Sequence, residues 1–183
     1  MTLVEEIMQL FAGAGSAAYF GEPVTMLEHS LQTAYFAQQA DAQAPLVVAA
    51  LLHDIGHLIG NAPTDLADWH RDARHELIGG RWLSRRLPDE VAEPVRLHVP
   101  AKRYLCATDP AYRARLSDAS VVTLNLQGGP MSLADVARFE SEPFFAAAVS
   151  LRRWDDQGKI AGLSTPDLLH YRDLIDALPL RKK

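Results

Sequence analysis

The sequence predicts an all-α fold, a single helical bundle. Three observations carry this. Apolar residues recur mostly at intervals of three and four, not two. Breakers such as Gln127-Gly128-Gly129-Pro130 separate the periodic segments. No segment holds an alternating strand pattern. At 183 residues the chain is long enough for one domain with a sizeable core and too short to expect two. Residues 1–183 therefore read as one domain, with disorder confined to a short C-terminal tail from about residue 179.

Val4, Ile7, Met8 and Phe11 form a first amphipathic stripe, ended by the loop GAGSAAYFGEP. Thr25 with Glu28 three residues on is a capping box, opening a helix that runs to about Ala42 and contains His29. Pro45 suits the first turn of the next helix, which is apolar on every side to Leu52 and so reads as the central one. Gly56 marks its expected end. After the loop NAPTD, a helix from about Asp68 to Arg86 carries His75 near its middle, and another from about Asp89 to Val99 carries His98 in its last turn before Pro100. A short helix follows at about Ser117–Leu126. Pro143-Phe144 opens one carrying Arg152, Trp154 and Asp155, and Thr165-Pro166 opens the last.

Composition excludes several classes of function. A net charge of −5 gives no clustered basic surface for a phosphate backbone, so nucleic acid is not an expected partner. The N-terminus MTLVEEIMQL carries Glu5 and Glu6 where a signal peptide would carry cations. Pro45–Leu52, the longest strongly apolar run, is far short of the ~20 residues that cross a bilayer. A cytoplasmic protein is expected, without membrane partners, and the single Cys106 agrees with a reducing compartment. Oligomeric state is not legible.

Seven histidines raise the question of chemistry. Taken singly, a helical histidine is more often surface or satisfied core than a ligand. As a set, His29, His53-Asp54, His75, His98 and Asp155 sit on five predicted helices, each beside residues that should face inward. Buried carboxylates among imidazoles are costly unless a cation holds them together, which is how bundle-core metal sites are built. His53 and Asp54 point about 100° apart on an ideal helix, so both reach one ion only near a helix end or with a bend; Gly56 would supply such an end. Four imidazoles and two carboxylates without thiolates suit iron, manganese or cobalt. Six ligands exceed the need of one metal with open positions, so two metals sharing a carboxylate are expected.

These residues lead to a family. The order His29, His53-Asp54, Asp155 resembles the H…HD…D signature of the HD-domain superfamily, and His75 and His98 between them resemble its dinuclear subset. The blocks YFGEPVTMLEH (19–29), LLHDIGH (51–57), HVPAKRYL (98–105), LSDASVVTLNLQGGPM (116–131) and LRRWDDQGK (151–159) are similar to the phosphonate-cleaving HD oxygenases of the PhnZ and TmpB type. The resemblance implies His29, His53 and Asp155 on one metal, His75 and His98 on the other, and Asp54 bridging. It implies two iron ions, a mixed-valent Fe(II)/Fe(III) pair, with O2 as co-substrate and a small zwitterionic phosphonate as substrate. The implied reaction splits the carbon–phosphorus bond of a 1-hydroxyphosphonate, foremost 2-amino-1-hydroxyethylphosphonate to glycine and phosphate, in phosphonate catabolism.

The same resemblance assigns Tyr19 and Glu22 to a mobile pair, Tyr19 occupying an iron position until substrate displaces it and Glu22 meeting the substrate ammonium. Without it, Tyr19 reads as a packing aromatic and Glu22 as a solvated carboxylate. Lys102, four residues after His98, shares its face if the helix continues, and a cation there can hold a phosphonate oxygen. His57 can donate to the phosphonate or support the metals. Ser120, Thr123 and Arg152 match further substrate contacts, though each reads equally as a capping or surface residue. Asp155 is preferred over Asp156 because it lies four residues before Lys159. His70 and His170 are left out of the site. Three alternatives remain: the N-trimethylated analogue giving glycine betaine, a metal-dependent HD phosphohydrolase, and a non-catalytic HD ligand-binding module.

Overall fold

Local signals set where the helices begin. In the computed structural model, which describes residues 1–59 and 74–181, α1 (Leu3–Ala14) starts at Thr2, whose hydroxyl accepts from the Glu5 N–H while the Glu5 carboxylate accepts from the Thr2 N–H. This capping box satisfies two otherwise unpaired donors. The expected Thr25–Glu28 box opens α2 (Met26–Gln39) in the same way. That helix ends before Ala42, because Asp41 turns into the left-handed region at φ 53°.

The central helix α3 (Ala44–Leu52) has Pro45 in its first turn, and Val47 to Leu52 are all buried. Its end is not made by Gly56. The chain turns at His53-Asp54 and re-enters a short helix, α4 (Ile55–Ile59), that contains Gly56. The glycine serves a close approach instead: a Cβ there would lie 2.0 Å from the His75 carbonyl oxygen. α5 (His75–Ser84) opens at His75, because Arg74 is left-handed at φ 47°. His75 is therefore at the start of its helix and not near the middle; the NAPTD loop, Asp68 and His70 lie outside the described residues.

α6 (Asp89–Thr108) runs through both Pro94 and Pro100, past the expected stop at Val99. Each internal proline costs about 3 kcal/mol in an isolated helix. Here Val91, Ala92, Val95, Leu97, Val99, Ala101 and Leu105 are all buried on α6, and burial of about 1.5–3 kcal/mol per large side chain outweighs that cost. Two further helices were not anticipated: α7 (Pro110–Ala114), capped by Asp109, and α9 (Leu133–Glu140), capped by Ser132. Between them lies the expected α8 (Asp118–Leu126), followed by the turn in which Gly128 and Gly129 take positive φ. α10 (Phe145–Gln157) follows Phe144 as expected, and the last element is a 3-10 turn, Leu168–Tyr171, running into α11 (Arg172–Asp176).

Among the described residues there is no strand, only an isolated bridge between Ala18 and Thr25 that pins the α1–α2 loop. α2 packs on α3 and α10, and α6 packs on α3, α5 and α10. The main core runs from Val4 and Ile7 through α3 to Tyr171, Ile175 and Leu178. A smaller cluster of Leu105, Cys106, Tyr112 and Leu124 fixes α7 and α8 to the second half of α6. The tail expected to be disordered from about residue 179 is docked as far as Arg181, whose N–H donates to the Arg86 carbonyl and whose guanidinium pairs with Asp89 at 2.5 Å. No helix among the described residues is long and apolar enough to cross a membrane.

Candidate metal centre

The packing of α2, α3, α5, α6 and α10 brings six polar side chains to one place inside the bundle. His29 comes from α2, His53 and Asp54 from the turn after α3, His75 from the first residue of α5, His98 from α6 and Asp155 from α10. All but His75 are at most 3% exposed. His29 and His53 meet with their Nε2 atoms 3.0 Å apart, and His75 and His98 with theirs 3.1 Å apart.

Asp54 lies between the two pairs. Its Oδ2 faces His53 Nε2 at 3.4 Å and His29 Nε2 at 3.7 Å; its Oδ1 faces His75 Nε2 at 3.2 Å and His98 Nε2 at 3.6 Å. Asp155 joins the first pair, with Oδ1 3.4 Å from His29 Nε2. Two triads thus have mutual spacings fit for a metal ion, His29-His53-Asp54 and Asp54-His75-His98.

The backbone decides which ring nitrogens face inward. His29 Nδ1 donates to the Gly158 carbonyl at 2.8 Å, His53 Nδ1 to Ala50 at 2.8 Å and His98 Nδ1 to Val95 at 2.7 Å. With the proton held on Nδ1, each Nε2 carries its lone pair toward the centre, the arrangement that orients imidazole ligands in metal sites. Asp54 Oδ2 and Asp155 Oδ1 are buried and have no hydrogen-bond partner. Buried carboxylate oxygens are rarely left so; Asp54 Oδ2 faces Nε2 of both His29 and His53, and Asp155 Oδ1 faces that of His29.

Charge in this cluster is unevenly held. Burial pushes the Asp54 carboxyl upward, but His53 and His75 outweigh it and hold it well below the carboxylate range. Burial lowers His53, yet Asp54 and Asp155 raise it to about 9. His98 falls to about 3 through burial and the neighbouring His75 and His53. Bringing all four imidazoles together as lone-pair donors needs a cation in place of the His53 proton.

The other expected residues surround this cluster. The Tyr19 ring stacks on His29 with centroids 3.8 Å apart, and burial followed by the charges of Asp54 and Asp155 holds its phenol well above the ordinary value. His57 stacks on His75 at 4.1 Å and is kept neutral by burial and by that neighbour. Continuation of α6 places Lys102 one turn beyond His98, where Nζ donates to Thr123 Oγ1 at 2.6 Å and Gln127 Oε1 at 3.2 Å. Burial, then Arg152, lowers Lys102 to about 7. Arg152 donates to Asp155 Oδ2 at 2.6 Å and pairs with Asp156, which also accepts from the Tyr112 hydroxyl. His170 stands apart, beside Gln38.

Glu22 is engaged within the protein: Lys159 Nζ lies 3.1 Å from its Oε1, and Ser117 donates to the same oxygen at 2.6 Å. Lys159 also donates to Ser120 at 2.9 Å. Sequence reasoning used Lys159 only as a spacing marker and passed over Tyr112, Gln127 and Ser117. Their roles lie in contacts 25 to 137 residues away along the chain, which no local pattern carries.

The HD domain family matches residues 26–124. Over 176 residues the chain is 43% identical to the glycine-betaine-forming 1-hydroxy-2-(trimethylamino)ethylphosphonate dioxygenase of Leisingera caerulea, covering 96% of this chain and 90% of that protein. Over 175 residues it is 41% identical to the hydroxymethylphosphonate dioxygenase of Gimesia maris, covering 95% and 87%. Both similarities extend over at least 95% of the chain, so the chain belongs to the HD-domain family, in the branch of HD oxygenases that these phosphonate dioxygenases represent.

Proposed function

We propose that this chain is a cytoplasmic di-iron dioxygenase that cleaves the carbon–phosphorus bond of a 1-hydroxyphosphonate. The observation that carries the reading is Asp54, whose two oxygens face two separate histidine pairs while Oδ2 and the Asp155 Oδ1 lack partners. The residues present fit two metals. His29, His53, Asp155 and one oxygen of Asp54 would hold the first; His75, His98 and the other oxygen of Asp54 would hold the second. When bound, a mixed-valent iron pair would supply a ferrous ion that activates O2 and Lewis-acid positions for substrate oxygens, while the substrate itself is the net source of electrons.

The reaction is balanced with O2 alone: R–CH(OH)–PO3H2 and O2 give R–COOH and H3PO4. The C–H and C–P bonds are broken, carbon is oxidised to the carboxylic acid, and both atoms of O2 are reduced. The surrounding side chains bind and orient the substrate. Lys102, steadied by Thr123 and Gln127, offers a cation to the phosphonate. Neutral His57 can donate a hydrogen bond without adding charge. Ser120 lies within reach of the same α8 face as Thr123. Tyr19 covers His29 and excludes water until substrate arrives. Arg152 acts through Asp155, holding Oδ2 so that Oδ1 remains inward.

The preferred substrate in this reading is 2-amino-1-hydroxyethylphosphonate, with Glu22 toward its ammonium. The N-trimethylated analogue is the second reading, supported by the similarity to the Leisingera caerulea enzyme. Iron-reconstituted protein is expected to release phosphate from a hydroxyphosphonate in air and not under argon, and its partly oxidised form to give the EPR signal of a coupled iron pair. Phosphate release that persists without O2 would overturn the reading in favour of a hydrolase.

A further inference from the structure

The relatives named above act on hydroxyphosphonates that differ at one end: one carries a trimethylammonium group, the other carries nothing there. What in this chain sets that preference is visible in a contact between three segments. Glu22, on the α1–α2 loop, is paired with Lys159, just beyond α10, at 3.1 Å, and both side chains are nearly buried at 11% and 13% exposure. Ser117 at the start of α8 donates to the Glu22 carboxylate. Lys159 also donates to Ser117 at 3.4 Å and, one turn further along α8, to Ser120 at 2.9 Å.

Both members of this pair are tied to the candidate metal centre through chain neighbours that contact His29. Tyr19, three residues before Glu22, stacks on His29, and the Glu22 N–H donates to the Tyr19 carbonyl at 2.7 Å. Gly158, immediately before Lys159, accepts the hydrogen bond that orients His29. Any molecule seated at the centre and reaching toward α8 meets a carboxylate whose charge is already balanced.

Resting on the phosphonate dioxygenase reading, we infer that Lys159 is the residue that sets the charge preference for substrate, by acting as an internal cation on Glu22. A neutral group leaves the Glu22–Lys159 pair intact. An ammonium group must share the carboxylate with Lys159 or drive the lysine onto Ser120, and either response weakens binding relative to a free carboxylate. Lys159 thus narrows the advantage that Glu22 gives to cationic substrates, and it acts through Glu22 without touching the reacting atoms.

The test compares kcat/KM for 2-amino-1-hydroxyethylphosphonate with that for hydroxymethylphosphonate in iron-loaded wild type, Lys159→Met, Lys159→Arg and the Lys159→Met/Glu22→Gln double variant. Lys159→Met is expected to raise the ratio of cationic to neutral substrate by about tenfold, the effect of leaving one nearly buried carboxylate unpaired. Lys159→Arg should keep the wild-type ratio, and the double variant should fall to or below it. Structural damage would lower both activities together and leave the ratio unmoved. A ratio within twofold of wild type in Lys159→Met, with activity retained, overturns the assignment and leaves the dioxygenase reading standing. Wild type that turns over neither compound overturns that reading and this one with it.

Discussion

At Lys102 burial and function pull in opposite directions. Loss of water, followed by repulsion from Arg152, lowers its ammonium from the ordinary 10.5 to about 7. The folded state therefore binds the proton less tightly than the unfolded state. The lysine costs stability in full below pH 7, and that cost fades as pH rises toward 10.5. Anion binding requires the protonated form, so its sign is the reverse. For the free enzyme, KM for a hydroxyphosphonate is expected to rise above pH 7, by up to about tenfold per pH unit where Lys102 alone controls binding. Arginine keeps its charge throughout, so Lys102→Arg should hold KM low to pH 9. Steady-state KM measured from pH 6 to 9 in both proteins checks this, and a flat wild-type profile would contradict it. The lysine was legible in the sequence as a residue four beyond His98. Its perturbed charge was not, because Arg152 reaches it from α10 and Thr123 from α8.

The helices were legible where short-range chemistry decides them and illegible where packing does. Thr2-Glu5 and Thr25-Glu28 close their capping boxes as local pattern dictates. Pro100 ought to end α6 on local grounds, yet the buried face of that helix overrides it. Gly56 is the most instructive case. A glycine after an apolar run reads as a helix end, and its function is to let α4 touch the first turn of α5. An added methyl group would meet the His75 carbonyl oxygen and approach the Gly79 nitrogen at 3.0 Å. The contact is with backbone, so α5 must shift and carry His75 with it. Gly56→Ala is expected to cost about 1–3 kcal/mol by overpacking and to weaken the His75-His98 site more than the His29-His53 site. Iron content near one per chain, with a Tm lowered by several degrees, is the expected outcome. Two irons at unchanged Tm would show that α5 absorbs the methyl group without moving His75.

Across the whole molecule, the six candidate ligands come from segments that one apolar core also joins. α2, the turn after α3, α5, α6 and α10 each contribute a histidine or an aspartate that points into the bundle. All six were legible because each is a polar residue in an inward-facing stretch. Their division into two groups around Asp54 was implied by the family resemblance, and the packed helices set one histidine pair against each of its oxygens. Without metal, the cluster keeps Asp54 and Asp155 ionised beside His53, whose pKa is raised to about 9, and the unpartnered carboxylate oxygens remain a cost of folding. Metal binds the folded arrangement and not the dispersed chain, so it stabilises by mass action. Each site filled at 100 times its Kd contributes about 2.7 kcal/mol, and each kcal/mol raises Tm by about 2–4 °C in a domain of this length. Iron added anaerobically to chelator-stripped protein is expected to raise Tm by about 5–10 °C per occupied site, and Asp54→Asn to lose most of that rise, because one amide cannot offer two anionic oxygens. Magnesium at the same concentration should have little effect, since imidazoles favour transition ions over hard ones. Differential scanning calorimetry on stripped, iron-loaded and magnesium-treated protein decides the matter: equal rises with iron and magnesium, or none with iron, would mean that the cluster is held by the fold alone and not by metal.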